Sequence, residues 1–344
     1  MFSGAMDVLV IQSPSGEFHS SSFHVRFGSL KVIRAENKVV DIYINGEKKD
    51  VKMYLSPGGD AFFAYDELDR YMIKQSELIA ENDIKTNLIT LNEVITEGKR
   101  ITEDDKLFKQ KYKSFFPSSN QIKKLELKEG PNEILYVVES TTGGIQTLKS
   151  RIYLWKSTEK LIISDIDGTI TKSDVLGYIF PVFGKDWSHE GVTDLFTNLY
   201  KNGYKIIYLT ARAIGQSTMT KNYLNNLIQE KQKLPPGPML MSPDGLFSAL
   251  KREIIQRKPH LLKIPLLTEI KNLFPENTKP FFAGFGNRDT DAIAYRYLDI
   301  PLNNIFIVDP KSEVIQLGIE GTTTYQNINN ELEKYFPKDN YKNI

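Results

Sequence analysis

Four near-continuous apolar runs in the second half of the chain constrain its fold more than any other feature. They are "LIIS" (161–164), "YKIIYLT" (204–210), "PFFAGF" (280–285) and "NIFIVD" (304–309). A strand with one wet face alternates polar and apolar residues, whereas a strand covered on both faces does not, and parallel sheets are the usual case of double cover. Helical stretches lie between the runs, at 193–202, 216–231, 260–273 and 290–298. The pattern predicts an open α/β sheet with helices on both faces, whose ligands sit beyond the carboxyl ends of the strands.

Those ends carry the polar chemistry. After 161–164 the chain reads Asp165-Ile166-Asp167-Gly168-Thr169, and after 204–209 it reads Thr210-Ala211-Arg212. Arg257-Lys258-Pro259 precedes the third helical stretch, and Gly286-Asn287-Arg288-Asp289-Thr290-Asp291 follows 281–285. In a parallel sheet these sets converge on one cleft. Two carboxylates one residue apart repel each other, so their pairing points to a cation between them and a phosphate nearby. The chain has no cysteine and only four scattered histidines, which excludes thiolate and histidine-rich metal sites and leaves oxygen ligands. A formal net charge of +1 over 344 residues gives no global pull toward nucleic acid.

The order of these sets resembles the haloacid dehalogenase superfamily of phosphatases and phosphotransferases, whose four motifs are DxDxT, a Ser/Thr at a strand end, a lysine, and an acidic or Asn-containing metal loop. The resemblance implies a role for each residue. Asp165 is the nucleophile, since a carboxylate can hold a phosphoryl group and divide one hard step into two. Asp167 serves as general acid and then base, and Thr169 completes the motif. Thr210 hydrogen-bonds a phosphoryl oxygen. Lys258 neutralises charge between Asp165 and phosphate, with Lys263 as the weaker rival. Mg²⁺ takes oxygen ligands: Asp165, the backbone carbonyl of Asp167, and Asn287 with Asp291 in support, Asp289 being a lesser candidate. Gly168 allows the tight turn. Arg212 and Arg288, beside the motifs, contact substrate or pair with acidic neighbours.

The first 65 residues are β-rich, with turns such as Asn45-Gly46 at a hairpin tip. Residues 66–119 are connecting and partly helical, and "ITEDDKLFKQKYKSFFP" (101–117) reads as a helix started by Thr102 and closed by Pro117. Strand character returns in "QIKKLELKEG", "NEILYVVEST" and "QTLKSRIYLW". Three strands are too few to stand alone, so they are expected to complete the first unit. The expected organisation is a split, immunoglobulin-like β-sandwich from 1–65 and 120–157, and a haloacid dehalogenase-like catalytic domain at 158–344.

Neither insertion near the cleft is long enough to bury a core of its own, so no large cap is expected and the cleft is open. Longer strings narrow the family. "GKDWSHEGVTDLF", "NGYKIIYLTARAIGQSTMTKNYL", "LPPGPMLMSPDGLFSALKREIIQRKP" and "FAGFGNRDTDAIAY" are similar to the catalytic domain of the lipin phosphatidate phosphatases. "SGAMDVLVIQSPSGEFHSSSFHVRFGSLKVIRAENKVVDIYINGE" is similar to the lipin amino-terminal domain. The resemblance implies Mg²⁺-dependent hydrolysis of phosphatidic acid to diacylglycerol and phosphate at a membrane surface, by a cytoplasmic protein peripherally bound to the endoplasmic reticulum. It also implies that the two lipin regions pack together. A phosphatidic acid-binding module without turnover, and a phosphatase for soluble or protein-bound esters, are the alternatives.

Some features depart from animal lipins. The segment between the halves is short and lacks a basic nuclear-localisation run. Leu176-Gly177-Tyr178-Ile179-Phe180 stands where those lipins carry LxxIL, which speaks against a transcriptional coactivator role. Few residues precede the first strand, where many lipins carry an amphipathic helix. The start does not read as a signal peptide and no apolar run approaches membrane-span length. Phe180, Phe183 and Trp187 are candidates for touching a membrane.

Overall fold

The computed structural model describes residues 3–28, 38–56, 58–64, 113–140, 144–172, 187–242 and 260–338. Its first sheet is built from β1 (Val8–Gln12), β2 (Phe18–Ser20), β3 (Val39–Ile44), β4 (Glu47–Leu55), β5 (Ala61–Ala64), β6 (Lys113–Ser114), β7 (Gly130–Ser140) and β8 (Gly144–Lys156). They lie in the order β2-β1-β8-β7-β3-β4-β5-β6. The returning segment therefore inserts between the N-terminal strands. Asn45 and Gly46, at φ 51° and 87°, join β3 to β4, the left-handed pair that a two-residue hairpin of the right twist needs.

The ladders of these strands form one continuous eight-stranded sheet, with a two-stranded ribbon of Gly4–Ala5 and Val25–Arg26 beside it. Alternation along β3 and β4 buries one face, where Val40, Ile42, Met53, Tyr136 and Val138 share a core with Phe23 and Phe63.

Two local expectations are corrected. "QIKKLELKEG" begins as a helix, α1 (Ser119–Lys124), because Ser118 and Gln121 form a reciprocal capping box and Ile122 and Leu125, three residues apart, share one helix face. The helix expected over 101–117 does not cover 113–117, where Lys113 pairs in β6 with Ala64; residues 101–112 lie outside the described residues.

β1 and β8 run parallel, Val8 opposite Ile152, and they belong to two cores at once. Side chains alternate across a strand: Val8, Val10, Ile152 and Leu154 face the first sheet's core, while Leu9, Ile11, Tyr153 and Trp155 enter that of the second sheet. The junction is also polar. Asp7, buried, accepts from the backbone N–H groups of Arg151 (3.0 Å) and Met239 (2.9 Å) and pairs with Lys221 at 2.6 Å.

The second sheet contains β9 (Leu161–Asp165), β10 (Lys205–Ala213), β11 (Met239–Ser242), β12 (Phe281–Gly286), β13 (Ile305–Val308) and β14 (Val314–Gln316), ordered β11-β10-β9-β12-β13-β14. All pairs are parallel except the edge pair β13–β14. The helices are α2 (Val192–Lys201), α3 (Ser217–Asn226), α4 (His260–Lys271), α5 (Asp289–Tyr297), α6 (Tyr325–Asn330) and α7 (Leu332–Tyr335). Neighbouring residues of β12 show that both faces are covered. Phe285 meets Phe196 of α2 and Tyr325 of α6, whereas Gly284 lies against Tyr295 of α5. The helix expected over 216–231 ends at Asn226. A small hairpin follows, because Glu230 and Lys231 adopt left-handed φ values of 45° and 70°, which no helix interior tolerates.

Candidate active site

β9 lies inside the sheet, between β10 and β12, and delivers Asp165 at its carboxyl end. The chain then turns at once. The carbonyl of Ile166 accepts N–H bonds from Thr169, Ile170 and Thr171, and Gly168 sits at φ 84°. That backbone angle favours glycine, so Gly168 is where the tight turn was expected. Thr169 is fully buried, and its hydroxyl has no protein partner among the described residues.

The neighbouring strand holds Asp167. The Thr210 hydroxyl donates to Asp167 Oδ2 at 2.8 Å, and Arg212 forks onto both carboxylate oxygens, with Nη2 2.5 Å from Oδ1. Arg212 also donates to Thr220 Oγ1 at 3.3 Å, which fixes the guanidinium from behind. Arg212 thus contacts an acidic neighbour, the second of the two roles open to it on sequence.

On the other side stands Lys263, in the first turn of α4. Its ammonium is 2.5 Å from Asp165 Oδ1 and 2.5 Å from Asp291 Oδ1. The second oxygen of Asp291 accepts the backbone N–H groups of Asn287 (3.0 Å) and Arg288 (3.1 Å). A Cβ at Gly286 would lie 2.5 Å from the Asp291 Cβ, so glycine there lets the carboxylate close on the strand end.

The structure therefore brings together Asp165, Asp167, Thr210, Arg212 and Asp291. Asn287 and Arg288 reach the cluster through their backbone; Asp289 is exposed. Lys258, Phe180 and Phe183 lie outside the described residues, and Trp187 is half exposed beside the Asp165 turn. Lys263, the weaker rival on sequence, is the lysine that contacts Asp165 among the described residues. Sequence reasoning missed His189 and Tyr325, whose side chains bond the carbonyls of Gly168 and Thr169.

The electrostatics follow from burial. Taking Asp165 out of water pushes its pKa up to about 8; Lys263 opposes this, while Asp291 and Asp167 add to it. Burial works against the Lys263 ammonium, but the charges of Asp165 and Asp291 and their hydrogen bonds outweigh it and hold its pKa above the usual value. Three carboxylates against two cations leave one negative charge when all are ionised. Fully ionised, the cluster is one positive charge short; with Asp165 protonated it is balanced.

Among the described residues no three acidic or histidine side chains close on a single point. A hard cation of the Mg²⁺ type does not need that, since it is usually held by one or two carboxylates and keeps several waters. The Lys263 ammonium marks a place where two carboxylates already share a positive charge, and the donors are all oxygen. The residues present fit such an ion.

Residues 113–337 match the family model described as LNS2 (Lipin/Ned1/Smp2), and residues 1–82 match the lipin N-terminal conserved region. Over 222 residues the chain is 48% identical to Phosphatidate phosphatase PAH1 of Arabidopsis thaliana, covering 64% of this chain and 25% of that protein. It is 49% identical over 199 residues to Phosphatidate phosphatase LPIN1 of Homo sapiens, covering 58% of this chain and 22% of that one. It is 41% identical over 233 residues to Phosphatidic acid phosphohydrolase 1 of Saccharomyces cerevisiae, covering 64% and 27%. The chain spans about a quarter of the length of these curated relatives. Two lipin regions matched in order, the second over more than half of the chain, show that this protein belongs to the lipin family.

Proposed function

We propose that this protein is a Mg²⁺-dependent phosphatase that hydrolyses phosphatidic acid to diacylglycerol and phosphate at a membrane surface. One observation carries the reading: the Asp165 carboxylate, at the end of a central strand, shares the Lys263 ammonium with Asp291. The names of the relatives supply the substrate class, and the second sheet is read as a haloacid dehalogenase-like catalytic domain over 158–344. The immunoglobulin-like reading of the first sheet rests on its mostly antiparallel strands and on the alternation along β3 and β4.

Asp165 attacks phosphorus, and the bond between phosphorus and the glycerol oxygen breaks. Asp167 gives its proton to that oxygen, so diacylglycerol leaves and an aspartyl-phosphate remains. Water then attacks phosphorus, Asp167 takes its proton, and phosphate departs with Asp165 restored. Thr210 and Arg212 fix the Asp167 side chain in place for both proton transfers. Lys263 keeps the nucleophile next to positive charge, the role first expected of Lys258. Asp165, the Asp167 carbonyl, Asn287 and Asp291 would hold Mg²⁺, which supplies charge neutralisation for the phosphoryl oxygens. Arg288, at the mouth of the loop, is read as a substrate contact, and Thr169 as part of the phosphate pocket.

No helix among the described residues is long and apolar enough to cross a membrane, and a peripheral, cytoplasmic enzyme at the endoplasmic reticulum is the reading adopted. The test is phosphate release from phosphatidic acid vesicles with Mg²⁺, beside a soluble phosphate ester. Release from vesicles supports the proposal. Binding without release, or release from the soluble ester alone, refutes it.

A further inference from the structure

Two fully buried polar side chains from distant parts of the chain meet behind the Asp165 turn. His189 precedes α2, and its Nε2 lies 3.2 Å from the carbonyl oxygen of Gly168. Tyr325 opens α6, and its hydroxyl donates to the carbonyl of Thr169 at 3.0 Å. Their rings touch edge to face, with centroids 6.1 Å apart. A carbonyl only accepts, so Nε2 must carry the proton. Burial lowers the His189 pKa and keeps the ring neutral, so Nδ1 accepts from the Ser312 hydroxyl at 2.8 Å. Ser312 therefore selects the tautomer that faces the turn. The backbone of His189 is tied in as well, its N–H donating to the carbonyl of Ile170 at 3.0 Å.

The two bonds act on orientation. In a planar trans peptide the C=O and N–H point opposite ways. Holding the Gly168 and Thr169 carbonyls outward turns the N–H groups of Thr169 and Ile170 inward, onto the Ile166 carbonyl. Gly168 has no side chain to resist rotation of its peptide planes, and the two donors supply that resistance. Neither His189 nor Tyr325 can touch a phosphate through the atoms that make these bonds, because those atoms are already committed to backbone.

We propose that His189 and Tyr325 are positioning residues that lock the Gly168–Thr169 and Thr169–Ile170 peptide planes of the turn after Asp165, and through that turn the aim of Asp165 and of the Asp167 carbonyl. The inference rests on the reaction proposed above. It predicts an effect on chemistry and on metal affinity rather than on substrate capture.

Tyr325→Phe removes one hydroxyl and keeps the ring. Its kcat is expected to fall about 10–100-fold, since an ångström of misplacement costs about 10²-fold, while KM for phosphatidic acid vesicles stays within about twofold. Calorimetric Mg²⁺ affinity of the substrate-free protein weakens by about tenfold, the scale on which groups that orient metal ligands act. His189→Phe behaves alike, and His189→Gln, which restores a donor, recovers part of both losses. The double variant loses less than the product of the two single losses, because both act on one turn. If Tyr325→Phe keeps kcat and Mg²⁺ affinity within about twofold of the parent, or if His189→Gln is no better than His189→Phe, the proposal is overturned. Should His189→Phe fail to fold, Tyr325→Phe decides. A parent inactive on vesicles counts against the substrate reading, and the Mg²⁺ calorimetry then judges the positioning role by itself.

Discussion

Replacing Lys263 by Met keeps the length of the side chain and removes the cation from the centre of the site. Asp165 and Asp291 each lie 2.5 Å from its ammonium, so their oxygens are at most about 5 Å apart. Two unit charges at that distance repel by about 3 kcal/mol at an effective dielectric constant of about 20. Asp165 escapes that repulsion by keeping a proton, since burial already sets its pKa at about 8 with the lysine present. At pH 7 the expected loss is then that of breaking the buried pair with Asp291, about 3–5 kcal/mol.

The pH dependence has a definite sign. A folded-state pKa above the unfolded value means that the folded protein holds the extra proton, so the stability it brings is lost as pH rises from about 4 to about 8. The variant, lacking the compensating ammonium, is expected to lose more over a window that extends to higher pH. Mg²⁺ answers the same carboxylates, so a concentration about 100-fold above the parent's dissociation constant returns about 2.7 kcal/mol to the parent, and the same concentration returns more to the variant, whose uncompensated carboxylates bind the ion more tightly. Urea melts at pH 7 and 9, in chelator and in Mg²⁺, measure all of this. Turnover is expected to fall by about 10²–10³, the usual cost of removing a group that stabilises developing charge. A variant as stable as the parent in chelator, or one that Mg²⁺ stabilises no more than the parent, would refute the assignment of Lys263 as the shared counter-ion.

Asp165→Asn and Asp167→Asn are each expected to remove nearly all turnover while circular dichroism and melting show an intact fold; normal activity in either would overturn the roles of nucleophile and general acid. Chelator is expected to abolish phosphate release and added Mg²⁺ to restore it, measured on vesicles. Asp7→Leu removes the buried partner of the part-buried Lys221 and leaves the Arg151 and Met239 N–H groups without their acceptor where the first strand meets the second sheet, so stability should drop by about 3–5 kcal/mol; a change below about 1 kcal/mol in denaturant melts counts against the Asp7 contacts holding the units together. Burial beside Phe115 pushes the His24 imidazole down to about 4. The unfolded chain therefore binds its proton first, stability falls as pH drops from about 6.5 to about 4, and His24→Phe should flatten that part of the stability curve.

The apolar runs and their polar ends were legible because they are local. Backbone covered on both faces demands continuous apolar sequence, and a carboxylate pair after a strand is visible without knowing its neighbours. The Asn45-Gly46 hairpin was legible for the same reason, since its left-handed backbone is a property of those two residues. α1 was equally local: Ser118 and Gln121 stand at capping-box spacing, but the alternation of Leu125 and Leu127 just beyond it fits a strand. Lys263 was legible only as the weaker rival of Lys258. It stands 98 residues from Asp165, and which lysine reaches the nucleophile depends on where α4 seats against the sheet. Asp7 and Lys221, and His189 with Tyr325 behind the turn, are of the same kind. Residue types and short spacings announced an α/β sheet with an acidic strand end, since those depend on backbone preference and burial within a few residues. Which side chains close on that end, and that the chain's first strand shares a core with its last sheet, was decided only when the elements packed, because a partner far along the chain is chosen by geometry and not by neighbouring sequence.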